Sequence, residues 1–292
     1  MAPPPGAIFF ARSFCECSAA AVILQIMDWI VSLTPDVSAD PMKSLAEPPA
    51  GASIVELRLD RFPGIDVSAA VSACPLPVLA TLRSQTEGGE GSDDPRTRAQ
   101  IIGAARNAGA ALLDLEFDRD TSLVRELGLP PEQTILSWHD PHGTPEELST
   151  VAGRLMEARA RWIKVVPTAE NVDDLVAVLA LHGRFNSGPA RERRLLTFAM
   201  ATTGLASRYL APLLGPPIGY AAWRDESPAA PGQLSIHRTE AVIGHLHGPP
   251  QRLYGVVGRD VGSSLSPVLH SAGYRCLGLP LSLIHISEPT RH

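Results

Sequence analysis

From Asp28 onward, short apolar runs rich in β-branched residues alternate with longer stretches whose apolar positions recur at helical spacing. The runs predict strands at Ile30–Thr34, Ile54–Leu59, Pro77–Leu82, Ala111–Phe117, Gln133–Trp138, Trp162–Val166, Leu195–Met200 and Ile218–Ala221. Between them the pattern predicts helices over Thr97–Ala108, Thr144–Ala160, Val172–Leu181, Ser207–Leu214 and Ser235–His245. Thr144-Pro145-Glu146-Glu147 reads as a threonine cap with proline and acids in the first turn, and Ser207 reads as a second cap. Strand and helix alternating eight times over some 220 residues is the rhythm of a (β/α)8 barrel. A doubly wound sheet would carry a glycine-rich turn after its first strand, and none follows Thr34.

The polar residues sharpen this picture. Glu56 and Arg58, Arg83 and Glu87, Glu116, His139, Lys164 and Met200 all fall in or just after the predicted strands. In a barrel the C-terminal strand ends meet on one face, and that face carries the chemistry. Lys164, in Trp162-Ile-Lys-Val-Val166, stands out because the chain has two lysines against 23 arginines. Only lysine can shed its proton and attack a carbonyl. Burial in an apolar strand beside arginines favours the neutral amine, which condenses with a ketone or aldehyde to an imine and so acidifies the adjacent carbon. His139 is the candidate base, and Glu87 the group that orients it. Arg58, Arg83 and Arg208 outnumber the nearby acids and suit an anionic substrate, most simply a carboxylate. Taken singly, each has a plainer reading. Lys164 could be a strand end reaching solvent, His139 a loop cap, Arg208 a surface charge, Glu56 and Arg58 an internal pair, and Gly88-Gly89 a flexible turn.

Composition sets limits. The chain has 292 residues, 45% hydrophobic, and a formal charge of -6, which argues against nucleic acid as a partner. Arg191-Glu192-Arg193-Arg194, the longest basic cluster, reads as a solvated loop. Cys15, Cys17, Cys74 and Cys276 form no C-x-x-C pair, so no zinc site, other metal site or disulfide framework is expected; a reducing, cytoplasmic compartment fits. Residues 1–27 are set apart as an unassigned extension. The apolar run Ala19–Leu24 is too short to cross a membrane, and Met27 reads as a start. Residues 281–292 resemble the translated frame of a transposase sequencing adapter and are set apart as a tail.

Six motifs carry a resemblance. Val55-Glu-Leu-Arg-Leu-Asp-Arg61, Thr81-Leu-Arg-Ser-Gln-Thr-Glu-Gly-Gly-Glu90, Ser137-Trp-His-Asp-Pro-His-Gly-Thr-Pro145, Ile163-Lys-Val-Val-Pro167, Ala206-Ser-Arg208 and Ala230-Pro-Gly-Gln233 resemble type I 3-dehydroquinate dehydratase in order and spacing. The resemblance implies a (β/α)8 barrel over 28–248 that needs no cofactor. It implies a lyase of the shikimate pathway, dehydrating 3-dehydroquinate to 3-dehydroshikimate through a lysine imine. Lys164 would form the imine, His139 would abstract the C2 proton and assist loss of the hydroxyl, and Glu87 would support His139. Glu56, Arg58 and Arg83 would line the substrate site, Arg208 would hold the carboxylate, and Gln233 would sit on the lid. Departures are Ala229 for a lid serine, Phe198 for a methionine, Tyr220 for a phenylalanine, and a short segment before Glu56. The Tyr220 hydroxyl is expected to need a partner.

Tyr254-Gly-Val-Val-Gly-Arg-Asp-Val-Gly-Ser-Ser-Leu-Ser-Pro-Val-Leu-His270 resembles the opening of shikimate dehydrogenase, so 252–280 reads as the start of a second, α/β substrate domain. Ser264 and Ser266 would bind shikimate there, with Ser263 where that family has histidine. The remainder of that domain, with its NADP site, is absent, so this part is expected to be inactive. The parent reads as a bifunctional dehydratase–dehydrogenase. The alternatives are another lysine-imine barrel, such as an aldolase, and a non-catalytic truncated product. Homodimerisation is left open.

Overall fold

The computed structural model describes residues 27–38, 40–258 and 261–287. The N-terminal extension, apart from Met27, therefore lies outside the described residues, as do residues 288–292 of the expected tail. Eight parallel strands form one sheet: β1 (Asp28–Leu33), β2 (Ile54–Arg58), β3 (Val78–Thr81), β4 (Leu112–Glu116), β5 (Thr134–His139), β6 (Trp162–Val166), β7 (Leu195–Thr197) and β8 (Ile218–Ala222). Their order is β7-β6-β5-β4-β3-β2-β1-β8, the winding of a (β/α)8 barrel with β7 and β8 at the seam. No ladder joins β7 to β8 among the described residues, so the barrel is closed by side chains there rather than by hydrogen bonds. Strand β7 stops at Thr197, short of the expected Met200, which instead forms an isolated bridge with Thr168.

Eight helices surround the sheet: α1 (Pro41–Ala46), α2 (Val67–Ala73), α3 (Pro95–Asn107), α4 (Phe117–Glu126), α5 (Leu148–Met156), α6 (Val172–Phe185), α7 (Leu205–Leu214) and α8 (Ile236–Ile243). Asp40, Asp66, Asp94 and Ser235 cap α1, α2, α3 and α8 by accepting first-turn backbone N–H groups, and Asn171 with Asp174 forms a capping box on α6. Two expected caps are corrected. Helix α5 begins only at Leu148, and the Thr144 hydroxyl donates instead to the Thr168 carbonyl, tying the loop after β5 to the loop after β6. Helix α7 begins at Leu205; Ser207 lies inside it, donates to the Gly204 carbonyl at 2.5 Å and accepts from Ala199 N–H. The basic run is not simply solvated. Arg193 donates to the carbonyl of Leu214, and Arg194 to those of Met156 and Ala158, closing the ends of α7 and α5.

The main apolar core lies between sheet and helices, built on Leu33, Val55, Leu57, Leu115, Leu155 and Ile163 among others. Inside the barrel a second apolar layer takes one side chain from every strand: Ile30, Ile54, Leu79, Leu112, Ile135, Trp162, Leu196 and Ile218. Two residues further along each strand, on the same inward face, stand Ser32, Glu56, Thr81, Asp114, Ser137, Lys164, Phe198 and Tyr220. The lower storey is a hydrophobic plug, and the upper storey is largely polar.

Beyond the barrel, β9 (Arg252–Gly258), α9 (Ser266–Cys276) and β10 (Leu281–Ser287) form a strand–helix–strand unit whose strands pair in parallel. The segment set apart on sequence thus supplies β10 as far as Ser287. Its positions 282–285 are all buried, and Ile284 joins the cluster on Tyr209 and Leu213 of α7.

Candidate functional site

The C-terminal ends of the strands enclose a cavity of about 310 Å³, and the upper storey forms its base. Lys164, His139, Glu87, Glu56, Arg58, Arg83, Arg208 and Gln233 all line it. These residues come from four elements and two loops far apart in the chain, and the fold brings them to one space. Ser264 and Ser266 lie outside it, just before and at the start of α9, where Ser264 Oγ accepts from Ser266 N–H and the Ser264 carbonyl bonds the His285 ring.

Lys164 is buried in the middle of β6 and does not reach solvent in the manner of a strand-end lysine. Its Nζ donates to Asp114 Oδ2 at 2.6 Å and sits over the Tyr220 ring, 4.6 Å from the centroid. Asp114 was not among the expected residues. It sits one storey above Leu112 on β4, two strands from Lys164, where Arg83 and Ser137 hold its other oxygen at 2.7 and 2.5 Å. Burial opposes ionisation, but Arg83 and Lys164 hold the Asp114 carboxyl well below the usual carboxylate range. The lysine therefore waits as half of an ion pair, a partner that an excess of arginine would not supply.

His139 ends β5. Its Nδ1 is 2.9 Å from Glu87 Oε2, the oriented-base arrangement expected of the pair. Glu87 Oε2 also accepts from the His139 backbone N–H at 3.1 Å and from Arg83 Nη1 at 3.0 Å. Burial above all, with Glu116 and Asp114 adding and Arg83 and Arg119 opposing, pushes Glu87 up to about 8. An oxygen taking two certain donors is an acceptor, so any proton on Glu87 rides on Oε1. Histidine then donates from Nδ1 and keeps the Nε2 lone pair free. Burial first, then Arg83 and Lys164, hold the imidazole well below its ordinary pKa, so it is neutral at pH 7 and able to take a proton. The Gly88-Gly89 turn that carries Glu87 is tight rather than loose. Gly88 has φ 81°, and a Cβ on Gly89 would lie 2.3 Å from the Arg83 carbonyl oxygen.

The arginines differ from expectation. Arg58 is gripped in bidentate fashion by Asp60 at 2.8 and 2.7 Å, and Arg83 is shared among Asp114, Glu116 and Glu87. Asp60 and Asp114 join Glu87 and Glu116 in the same network, so the arginines do not outnumber the acids near the cavity. Glu56 does not pair with Arg58; it accepts from Ser32 and Thr81 at 2.6 and 2.8 Å. Arg208 remains. It is buried inside α7, not surface charge, and no carboxylate pairs with it among the described residues. Its Nη2 donates to the Pro231 carbonyl at 3.1 Å, its Nε has no partner, and its guanidinium lies 4.9 Å from the Phe198 ring centroid. Burial lowers its pKa to about 10. A buried guanidinium with unused donors facing a cavity suits a carboxylate.

Gln233 stands on the loop between β8 and α8 and accepts from Ala229 N–H at 2.9 Å. The lid therefore has an internal bond at the position where a serine was missed. The Tyr220 hydroxyl, expected to need a partner, is buried and has none among the described residues. No group of three or more His, Cys, Asp or Glu side chains is placed to hold a metal ion, and no helix is long and apolar enough to cross a membrane, again among the described residues. A neutral histidine beside a buried lysine, with a free arginine across the cavity, can form an imine, take a proton from the carbon next to it and hold an anionic substrate throughout.

Comparison with known proteins agrees with this chemistry. The family model described as type I 3-dehydroquinase matches residues 30–249. A 3-dehydroquinate dehydratase of Dehalococcoides mccartyi (strain BAV1) is 31% identical over 190 residues, covering 64% of this chain and 82% of the relative. The chloroplastic bifunctional 3-dehydroquinate dehydratase/shikimate dehydrogenase of Arabidopsis thaliana is 26% identical over 246 residues, or 81% of this chain. The chain spans only 40% of that relative's length. Among solved structures, the type I 3-dehydroquinate dehydratase of Clostridium difficile shares the fold with a TM-score of 0.63 at 23% identity, covering 76% of this chain and 93% of the other. The dehydroquinate dehydratase and shikimate dehydrogenase region of S. pombe AroM gives 0.61 at 24%, covering 91% and 53%.

Proposed function

The chain belongs to the type I 3-dehydroquinase family, and from that premise we propose that it converts 3-dehydroquinate to 3-dehydroshikimate and water through an imine on Lys164. This is a hydro-lyase step of the shikimate pathway. The observation that carries the reading is the buried Lys164 amine at the base of a cavity whose rim holds a neutral, Glu87-bound His139.

Arg208 takes the substrate carboxylate. Lys164 gives up one proton, and the amine adds to the C3 carbonyl. Loss of that oxygen as water leaves a protonated imine. His139 Nε2 then removes a proton from C2, and the electron pair moves into the imine to give an enamine. The enamine expels the C1 hydroxyl, which leaves as water with the proton returned by His139. Hydrolysis of the conjugated imine consumes the first water and frees both product and amine, so the net change is loss of one water. Asp114 and Glu56 with Ser32 and Thr81 hold the base of the site, and Gln233 closes over it. No cofactor enters these steps.

Sodium borohydride added with 3-dehydroquinate should reduce the imine and leave a stable mass on the peptide carrying Lys164. Absence of that mass at saturating substrate sinks the reading, and an adduct formed only with aldehyde donors points to an aldolase. Residues 252–280, with β9 and α9, read as the opening of a shikimate dehydrogenase domain, supported by the Tyr254–His270 motif. Its Ser264 and Ser266 would meet shikimate hydroxyls, and NADP would serve the completed domain. A cytoplasmic location and a homodimer are the matching proposals for place and assembly.

A further inference from the structure

Alternate strands of a (β/α)8 barrel supply each interior layer, four side chains at a time. In the upper storey the even strands supply Glu56, Asp114, Lys164 and Tyr220. Strand β8 is opposite β4 in the strand order, so Tyr220 reaches across the barrel toward Asp114, with Lys164 and Glu56 on either side. The contacts fit this layer: Lys164 lies 4.6 Å from the Tyr220 ring centroid and 2.6 Å from Asp114 Oδ2.

Three of these four residues are satisfied. Both Glu56 oxygens accept hydroxyls, Asp114 accepts from Arg83, Ser137 and Lys164, and Lys164 has Asp114. The Tyr220 hydroxyl alone is buried without a partner, a state that costs stability and calls for an explanation. Asp114 Oδ1 takes two donors, while Oδ2 takes only Lys164. Lys164 lines the cavity, whereas Asp114 lies beneath it. A carbon bonded to Nζ must sit in the cavity, and the imine nitrogen keeps at most one of its three N–H bonds. Bonding to substrate thus leaves at most one N–H for Asp114 Oδ2, its direction set by the new bond.

We propose that the Tyr220 hydroxyl is a positioning residue that donates to Asp114 Oδ2 once Lys164 is engaged as an imine. The hydroxyl is unused at rest because the lysine occupies its acceptor. It is used in the covalent intermediates, where it keeps a buried carboxylate from being left half paired. Burial, with Asp114 and Glu56, keeps the phenol protonated and therefore a donor. This inference rests on the imine chemistry proposed above.

The test is Tyr220→Phe, which removes one oxygen and keeps the ring beneath Lys164. The free variant should melt at the same temperature as the parent or above it, since an unpaired hydroxyl is gone. Its kcat/KM should fall about tenfold, the low end for a hydrogen bond to a charged group. A substrate analogue with the ketone reduced to an alcohol binds but forms no imine, and its inhibition constant should not change. If the inhibition constant rises in step with the loss of kcat/KM, the hydroxyl contacts the ligand directly and the proposal falls. If neither changes, the hydroxyl is inert and the proposal falls. Borohydride trapping on the parent separates the layers of the argument. Absence of an adduct on Lys164 removes the imine itself, whereas an adduct in both proteins with equal kcat/KM removes only the role of Tyr220.

Discussion

Arg208 offers a quantitative test of the site, because the fold pays to keep it there. The side chain is 7% exposed, and burial draws its pKa down to about 10, which corresponds to about 3 kcal/mol against the charged form. At pH 7 the group is protonated in both folded and unfolded chains. The full penalty therefore applies at neutral pH and lifts only as pH rises above about 10. Replacing Arg208 with methionine removes the charge and keeps an unbranched chain of similar reach. It forfeits the contact with the Phe198 ring, about 0.5–1 kcal/mol, and the bond to the Pro231 carbonyl, about 1 kcal/mol. The balance is a gain of about 1–1.5 kcal/mol, or a rise in Tm of roughly 2–6 °C for a domain of this size. The same change leaves the substrate carboxylate without its partner, which should cost roughly 10²–10³-fold in kcat/KM. Urea unfolding and thermal melting at pH 7, alongside turnover of 3-dehydroquinate, measure both sides. A variant that is both less stable by more than 2 kcal/mol and unchanged in kcat/KM refutes the reasoning, since Arg208 would then be a structural cation.

Other residues give further expectations. Lys164→Arg keeps the charge beside Asp114 but cannot form an imine, so turnover should fall more than 10³-fold and the borohydride mass should vanish, with far-UV circular dichroism unchanged. His139→Ala should lower kcat by roughly 10²–10⁴-fold. Because the His139 pKa is held well below its ordinary value, the parent's kcat/KM should stay flat as pH falls from 7.5 through 6.5, and a loss centred at 6.5 would contradict a buried, neutral imidazole. Arg98→Ala should destabilise by about 3–5 kcal/mol in urea titrations, because Arg98 is buried in a bidentate pair with Asp120 and its loss strands that carboxylate.

Much of this could be read from the chain because the signals were periodic or local. All eight barrel strands sit within a few residues of their expected bounds, since a buried parallel strand is an unbroken apolar run. Lys164, His139 and Glu87 could be found because strand ends converge in a barrel whatever the details of packing. Asp114 escaped notice because Leu112-Leu-Asp-Leu-Glu116 reads as one apolar strand, and which of its residues face inward depends on register against β3 and β5. A strand with acids two apart was the available signal. The arginine count misled for the same reason: a tally of charges along the chain does not show which carboxylates pair with them. Helix α4 was missed because it follows β4 with no connecting loop, its polar first turn being Phe117-Asp-Arg-Asp120. Thr144 and Ser207 carried cap chemistry in their sequence, but a tertiary contact drew the Thr144 hydroxyl to Thr168, and Ser207, in the first turn of its helix, bonds back to the Gly204 carbonyl.

The two storeys inside the barrel divide labour along every strand. Residue i packs the plug and residue i+2 builds the site, from Ile30 and Ser32 round to Ile218 and Tyr220: six of the upper residues line the cavity, while Asp114 and Ser137 hold Lys164 and Arg83. Inheritance in such a scaffold is modular. Substitutions at the lower positions should change how much folded protein a cell accumulates, and substitutions at the upper positions should change what each folded molecule does. A library randomised over these sixteen sites, scored for abundance and turnover together, would sort them into two sets offset by one pleat. New chemistry could then be sought in the upper set while the plug beneath preserves the barrel.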